Sequence, residues 1–360
     1  MSSASGAPGL EWFESPAAVW DDWSRLAEAA GNVFATPEWA DAWLRHLGGG
    51  HRPWIAAARD AGGQRAALVA LTVARRRGLP GAGLLGAGPA DELAPVCAPD
   101  DAGLAAAALL EALRERRREW AVFAGVTMPR GWGERLGGRV AEREASPVLE
   151  LDGQSFDEFL AGRSKNFREQ VRRRERKLAR EHELSFRMTT DPARLDGDLD
   201  TLIALHDARW GGTTGTFAGE RGAFHRDFAR RALQRGWLRL WIAELDGRPA
   251  AAWYGLRYGG DEWFYQSGRD PKLERTSVGF VLLAHSVREA ASDGVRNYRL
   301  LRGDEGYKGR WATDDPGLET VEIVRGPLGH AYTAARAARR AVSDVRARGR
   351  AARRQPPDGD

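Results

Sequence analysis

Leu238-Arg239-Leu240-Trp241-Ile242-Ala243-Glu244-Leu245-Asp246-Gly247-Arg248-Pro249-Ala250-Ala251-Ala252-Trp253-Tyr254-Gly255-Leu256-Arg257-Tyr258 is the stretch that decides the fold. Two apolar and aromatic runs, 238–244 and 250–258, flank Asp246-Gly247, a turn pair that accepts the positive φ of a tight hairpin. Residues 262–267 continue as a third strand. Upstream, 184–188 reads as a strand, and 195–210 and 222–235 read as helices. Downstream, 277–291 reads as a helix with Ser277 as its N-cap, 297–301 as a strand and 319–324 as the last strand. Period-2 and period-3.6 patterns alternating in this way predict a mixed α/β architecture.

The N-terminal half repeats the order. Residues 10–13 read as a strand, 17–30 and 37–47 as helices, and 54–59 with 66–75 as a hairpin around Asp60-Ala61-Gly62-Gly63. A helix over 104–120 and a strand over 121–126 follow. Trp54-Ile55-Ala56 in the first hairpin matches Trp241-Ile242-Ala243 in the second, and each hairpin follows an amphipathic helix closed by glycine, Gly48 or Gly236. Shared order together with shared residues indicates an internal duplication. The expected organisation is a degenerate domain over 1–150, a working domain over 151–330, and a basic helix or disordered tail over 331–360.

With 360 residues, 42% hydrophobic and 29% charged, the chain has the composition of a soluble globular protein with material for two domains. Met1 to Gly9 lacks the basic and apolar runs of a signal peptide, and no window approaches the roughly 18 apolar residues of a membrane span. The lone Cys97 excludes an internal disulfide and any multi-cysteine metal site. The expected compartment is the cytoplasm. The net charge of +4 conceals two basic blocks. Residues 163–180 hold nine Lys/Arg against Glu169 and Glu175, net +7; residues 331–360 hold eight Arg against three Asp, net +5, which leaves the rest at −8. The first block reads, in order of preference, as a solvated connecting helix, a phosphate-binding flank, or a non-specific nucleic-acid surface. The tail lacks large apolar residues, so at most weak attraction to anionic lipid is expected of it.

Leu300-Leu301-Arg302-Gly303-Asp304-Glu305-Gly306-Tyr307-Lys308-Gly309-Arg310-Trp311 carries the densest chemistry. An apolar strand ends in acids, a phenol and an amine, at the end of a strand where sheet proteins place their chemistry. Tyr307 and Trp311 are costly residues for an ordinary exposed loop. The equivalent point in the first half, Thr127-Met128-Pro129-Arg130-Gly131-Trp132, has neither acid nor lysine, so one half is expected to scaffold while the other works. His206, Arg209 and Trp210 share a helix face, and Arg209 beside Trp210 suits an anionic or sugar substrate.

The order strand, two helices, three antiparallel strands, helix, strand, helix, strand resembles the GNAT acyltransferase fold, and its doubling resembles FemAB-type transferases with tandem GNAT domains. Ser164-Lys165-Asn166-Phe167-Arg168, Leu205-His206-Asp207-Ala208-Arg209-Trp210, Trp263-Phe264-Tyr265-Gln266-Ser267-Gly268 and Ser277-Val278-Gly279-Phe280, with Leu301 to Lys308, resemble the GNAT subfamily named after CelD/BcsL and associated with cellulose and exopolysaccharide production. The resemblance implies tandem GNAT domains, each a mixed sheet flanked by helices, and an acyl-CoA co-substrate, acetyl-CoA or longer, without a metal. It also implies a small-molecule or saccharide acceptor. The Gly-rich donor turn of GNAT enzymes is reduced here to Arg275-Thr276-Ser277-Val278-Gly279-Phe280, with a single Gly. FemAB-type relatives with degraded turns take aminoacyl-tRNA instead.

On this resemblance, Tyr265, Gln266, Ser277, Val278, Gly279 and Phe280 border the donor, and Arg209, Trp210 and Arg302 hold the acceptor. Asp304 and Glu305 are the candidate bases, and Tyr307 belongs to the same catalytic block. Lys308, an exposed lysine after an aromatic as in the FemAB-type Phe-Lys motif, suits an oxyanion or a substrate phosphate. The expected activity is acyl transfer from acyl-CoA to an amine or hydroxyl of a saccharide or cell-envelope precursor. The alternatives are an aminoacyl-tRNA-dependent transferase and a non-catalytic regulator of exopolysaccharide synthesis. Specific nucleic-acid binding is not expected, tRNA in that first alternative excepted.

Overall fold

The computed structural model describes residues 8–76, 78–212 and 215–335; the tail expected from residue 331 lies outside the described residues from 336 onward. The first half runs β1 (Leu10–Phe13), α1 (Trp20–Ala30), α2 (Pro37–Leu47), β2 (Arg52–Arg59), β3 (Arg65–Arg76), β4 (Leu79–Leu84), β5 (Val96–Cys97), α3 (Ala102–Glu115), β6 (Val122–Pro129), α4 (Trp132–Leu136) and β7 (Arg139–Glu144). The chain continues through β8 (Val148–Glu150), α5 (Phe156–Ala161), α6 (Lys165–Glu181), β9 (Leu184–Met188), α7 (Pro192–Trp210) and α8 (Gly219–Gln234). It ends with β10 (Leu238–Leu245), β11 (Arg248–Tyr258), β12 (Asp261–Arg269), α9 (Val278–Ser292), β13 (Asn297–Arg299), α10 (Lys308–Trp311) and β14 (Leu318–Val324).

The duplication read from the sequence is visible in the pairing. One sheet has the order β1-β2-β3-β4-β6-β14-β7, with β5 on β3, and the other has β8-β13-β12-β11-β10-β9. In each, a lead strand and a hairpin are followed by a further antiparallel strand and then a parallel partner: β4 beside β6, and β12 beside β13. The strand β4 was not legible as one. Its sequence Leu-Pro-Gly-Ala-Gly-Leu reads as a loop, yet Pro80 stands near the strand start and offers only its carbonyl, which accepts from Ala121 N.

The last strand does not complete the second half, as the order of elements predicts. β14 pairs antiparallel with β6 and β7 in the first sheet, while β8, from the junction, pairs with β13 in the second. Each sheet therefore depends on a strand from the far side of the chain. The inward carboxylates of β14 are satisfied there: Glu319 accepts from Gly133 N at 2.6 Å, and Glu322 pairs with Arg139.

One apolar core spans both halves. The Trp39 ring of α2 stands edge-on to Phe224 and Phe228 of α8, at 4.8 and 4.7 Å, and Phe34 packs on Trp263 at 5.6 Å. Gly31 and Gly259 meet back to back where the halves touch, both at positive φ, and a Cβ on Gly259 would overlap Gly31. A second core lies between α5, α6 and α9 and the other face of the second sheet, and Trp311 is buried in it against Phe159, Phe167 and Phe280.

Because the sheets exchange β8 and β14, chains 1–150 and 151–335 expressed separately are expected to give no cooperative melt by circular dichroism. Their co-expression should restore a single complex on gel filtration. Two independently melting halves would show that the exchange is dispensable.

Candidate active site

The site begins where two strands part. β12 and β13 run parallel for three register pairs, from Asp261 with Asn297 to Trp263 with Arg299, and then separate while β12 continues to Arg269. Leu301 adopts φ 59, a left-handed conformation costly for a leucine, and turns the chain away from the sheet. Between the parted strands lies a cavity of about 250 Å³ bordered by Tyr265, Gln266, Leu300, Leu301 and Arg302. A second cavity of about 330 Å³ runs from there to the start of α9, and Arg209, Phe264, Ser267 and Tyr307 wall both. Gly268 brings α7 close enough to close the site, since a Cβ there would collide with the backbone nitrogen of His206.

The larger cavity is lined by cationic side chains and by the start of α9. Ser277 stands at the N-cap position, but its φ of 62 and uncapped side chain differ from the predicted capping role. The first intrahelical bonds run from Phe280 N and Val281 N to Ser277 O, which leaves the amides of Val278 and Gly279 open. Arg174, Arg209, Arg269 and Arg310 line the same space. Arg174 comes from the basic helix α6 and lies 4.6 Å over the Phe280 ring. The second of the three readings of that helix, a flank for phosphates, thus has a side chain in place. Arg209 donates to Ser267 Oγ at 3.1 Å and covers the Trp210 ring at 4.7 Å.

The smaller cavity receives the block after β13, though not as the sequence suggested. Lys308 is buried, 4% exposed, instead of extending from a loop. Its ammonium donates to the carbonyls of Arg302 at 2.6 Å and Leu301 at 3.4 Å and pairs with Glu305 at 2.9 Å. Three partners use its three donors. Asp304 is exposed and borders neither cavity, whereas Glu305 does. Arg302 is tied to Glu144 of β7 at 2.7 Å. Tyr265 is buried with its hydroxyl turned to Pro89 O at 2.7 Å. Tyr307 faces both cavities; burial first, and Glu305 second, push its phenol up to about 12, so it keeps its proton at neutral pH. His206 is buried beneath, and burial lowers its pKa.

One residue of this cavity escaped the sequence reading entirely. Asp91, from the loop between β4 and β5 of the first half, lines the same cavity as Glu305 and Lys308. The signal for it was thin: an acidic pair, Asp91-Glu92, behind Gly86, Gly88 and Pro89 at the end of a strand that itself did not read as one.

Residues 165–309, from the start of α6 into α10, match the family profile described as Acetyltransferase (GNAT) domain. Among solved structures, FemX superposes with a TM-score of 0.63 at 10% identity, covering 88% of this chain and 97% of its own. The C-terminal DUF2156 domain of a protein from Agrobacterium fabrum gives 0.58 at 12% identity, covering 89% and 95%. L-PGS from Bacillus licheniformis gives 0.55 at 14%, covering 85% and 91%. No curated protein sequence matches the chain. At these identities the likeness is one of fold, and the fold is that expected from the sequence: a mixed α/β chain with a GNAT-type sheet in each half.

The geometry makes Lys308 a structural member of the site. Lys308→Met is expected to destabilise the chain by about 1–3 kcal/mol in urea denaturation, because two strand-end carbonyls and Glu305 lose their partner. An unchanged unfolding midpoint would return Lys308 to the exposed role read from the sequence.

Proposed function

We propose that the chain is an acyltransferase that moves an acyl group from acyl-CoA to an amine or hydroxyl on a saccharide or cell-envelope precursor, with the second half as the working domain. The observation that carries this reading is the junction of two cavities at the parted strands. One has open helix amides and four arginines, the other has acids and a phenol, and Tyr307 stands between them. The residues present fit CoA: Val278 and Gly279 offer backbone N–H groups to phosphate, and Arg174, Arg269 and Arg310 offer countercharge. CoA would supply a thioester whose carbonyl accepts the nucleophile.

In this reading Ser277 to Phe280 hold the donor phosphates, and Gln266 with the buried Tyr265 borders the acyl end. Arg209, Trp210 and Arg302 border the acceptor side. Tyr307, protonated and shared by both cavities, donates a proton to the leaving thiolate. Glu305 and Lys308 hold the shape and charge of the chamber. No helix among the described residues is long and apolar enough to cross a membrane, and we assign the reaction to the cytoplasm.

A second reading, an aminoacyl-tRNA donor, is favoured by α6. Arg172, Arg173, Arg176 and Arg180 are exposed along the helix that places Arg174 in the cavity, a cationic track long enough for a polynucleotide end.

Melting temperature should rise with acetyl-CoA or a longer acyl-CoA, and bulk tRNA should leave it unchanged. A shift with tRNA alone, lost on adding salt, would favour the second reading. Gly279→Asp has room, since a Cβ there would sit 3.5 Å from Arg269 Cδ, but it sets a carboxylate among the open amides. It is expected to weaken CoA binding by tenfold or more, a change worth about 1.4 kcal/mol, measured by calorimetry. Unchanged affinity would place the donor elsewhere.

A further inference from the structure

We infer that the first half is a working part of the site: its Asp91 binds the acceptor as a primary ammonium and takes the proton that the amine sheds on acylation. This rests on the acyl-transfer reading above and narrows its acceptor from amine or hydroxyl to amine.

The loop that carries Asp91 follows β4, and β4 is the counterpart of β12. It is therefore the first half's version of the loop that leads into the donor-binding helix of the second half. It leaves the first sheet and is pinned across the second on both sides of Asp91. Trp39 Nε1 donates to Gly86 O at 3.2 Å and Trp43 Nε1 to Ala87 O at 2.9 Å. The Tyr265 hydroxyl donates to Pro89 O at 2.7 Å. Beyond Asp91, Asn32 Nδ2 donates to Glu92 O at 3.2 Å, Leu93 N donates to Thr127 O at 3.0 Å, and Arg299 reaches the Glu92 carboxylate at 3.6 Å. A loop held at six points presents its side chain in a fixed place.

Of the two carboxylates that border that cavity, Glu305 is paired and Asp91 is not. Arg302 is matched by Glu144, Lys308 by Glu305 and two carbonyls, and Arg209 is bonded to Ser267 on the donor side. Asp91 makes no hydrogen bond and no ion pair with a described residue and stands, half-buried, at the cavity wall. A partly desolvated carboxyl without a partner at a cavity wall is the kind of group that functional sites hold. Burial pushes its pKa up to about 7. Arg302 and Lys308 work against that rise; Glu144 and Glu305 add to it, and the phenol of Tyr265 lies within the same field. At neutral pH the group thus exchanges a proton readily, as a base in acyl transfer must.

The complement of a single unpaired carboxyl is a single cation with N–H donors. A hydroxyl supplies one donor and no charge, and so leaves most of the burial cost in place. The ammonium on Asp91 first loses a proton to solvent. The amine nitrogen then forms a bond to the acyl carbon, the carbon–sulfur bond breaks, Asp91 takes the second amine proton and Tyr307 gives its proton to the thiolate. The proton then returns from Asp91 to Tyr307 through solvent.

The test uses the full chain with Asp91→Asn beside it. Acetyl-CoA affinity is measured by calorimetry, and CoA release is followed with a panel of primary amines (glucosamine, ethanolamine, lysine methyl ester) against glucose and ethylene glycol. The protein is also made with ¹³Cγ-labelled aspartate for carboxyl titration. The expected result is transfer to an amine but not to its hydroxyl counterpart, with kcat/KM lowered about 10²–10³-fold in Asp91→Asn. Acetyl-CoA affinity should be equal in the two proteins. A carboxyl resonance titrating near pH 7 should be absent from the variant and should move to lower pH when the amine is added. The native carboxyl is the more protonated form, so the parent loses stability as pH rises through about 7, and Asp91→Asn should melt no lower than the parent at pH 8. Transfer to hydroxyls as fast as to amines, no transfer to any amine in the panel, a variant as fast as the parent, or a variant that melts lower would each overturn the inference. Absence of acetyl-CoA binding in the parent would instead overturn the acyl-CoA reading on which it rests.

Discussion

Two parallel strands that part leave backbone groups with nothing to bond, and the whole site depends on how those groups are satisfied. Beyond Trp263 and Arg299 the ladder between β12 and β13 ends. The carbonyls of Leu301 and Arg302 would face the enclosed gap unpaired, at a cost of a few kcal/mol. The Lys308 ammonium bonds both and is itself neutralised by Glu305. A cation one short turn downstream thus holds the gap open as a cavity, where otherwise the strands would have to collapse together or the loop would unravel. The left-handed Leu301 and the burial of Trp311 under Phe159 fix the two ends of that loop.

The duplication acquires a physical meaning from this gap. Each half has the same hairpin and the same parallel pair, and a residue of the first half lines a cavity of the second. The exchange of β8 and β14 makes each sheet incomplete alone, and the two halves share the aromatic core around Trp39. With the halves locked, a loop of one can serve as a wall of the other to within the tolerance that positioning requires. The loop after β4 contributes Asp91 to the cavity of the second half.

What was legible in the sequence was local. Asp246-Gly247 and Asp60 to Gly63 announced the hairpins, and helical periodicity announced the long helices. The run of acid, phenol and amine after β13 announced the site. What escaped was long-range or compositional. β4 is a strand without the usual residues, its Gly and Ala positions lining a cavity where large β-branched side chains would otherwise stand. Nothing in Leu318–Val324 says which of two similar sheets it joins, since its mix of β-branched and acidic residues suits either. Lys308 looked exposed because lysine usually is, and burial became visible only with the carbonyls it serves. Asp91 was silent because its role is defined by charges 50 to 220 residues away: Glu144, Arg302, Glu305 and Lys308.

The strong charge asymmetry of the chain is also resolved by position. Positive side chains gather at one cavity, from α6, α7, the end of β12 and α10, and an acid without a partner stands in the other. A phenol set between them is kept neutral by burial and by Glu305, against the smaller pull of Arg209. Were Tyr307 to ionise at rest, its charge would have to be stabilised at the border of a cavity that already holds carboxylates, so it keeps its proton at neutral pH. In the proposed reaction the thiolate leaves toward the cationic cavity, which stabilises its charge, with Tyr307 beside it as the proton donor and Asp91 as the acceptor of the amine proton. Each half of the chain then carries one end of the proton traffic, and the lock between the sheets keeps the two ends a fixed distance apart.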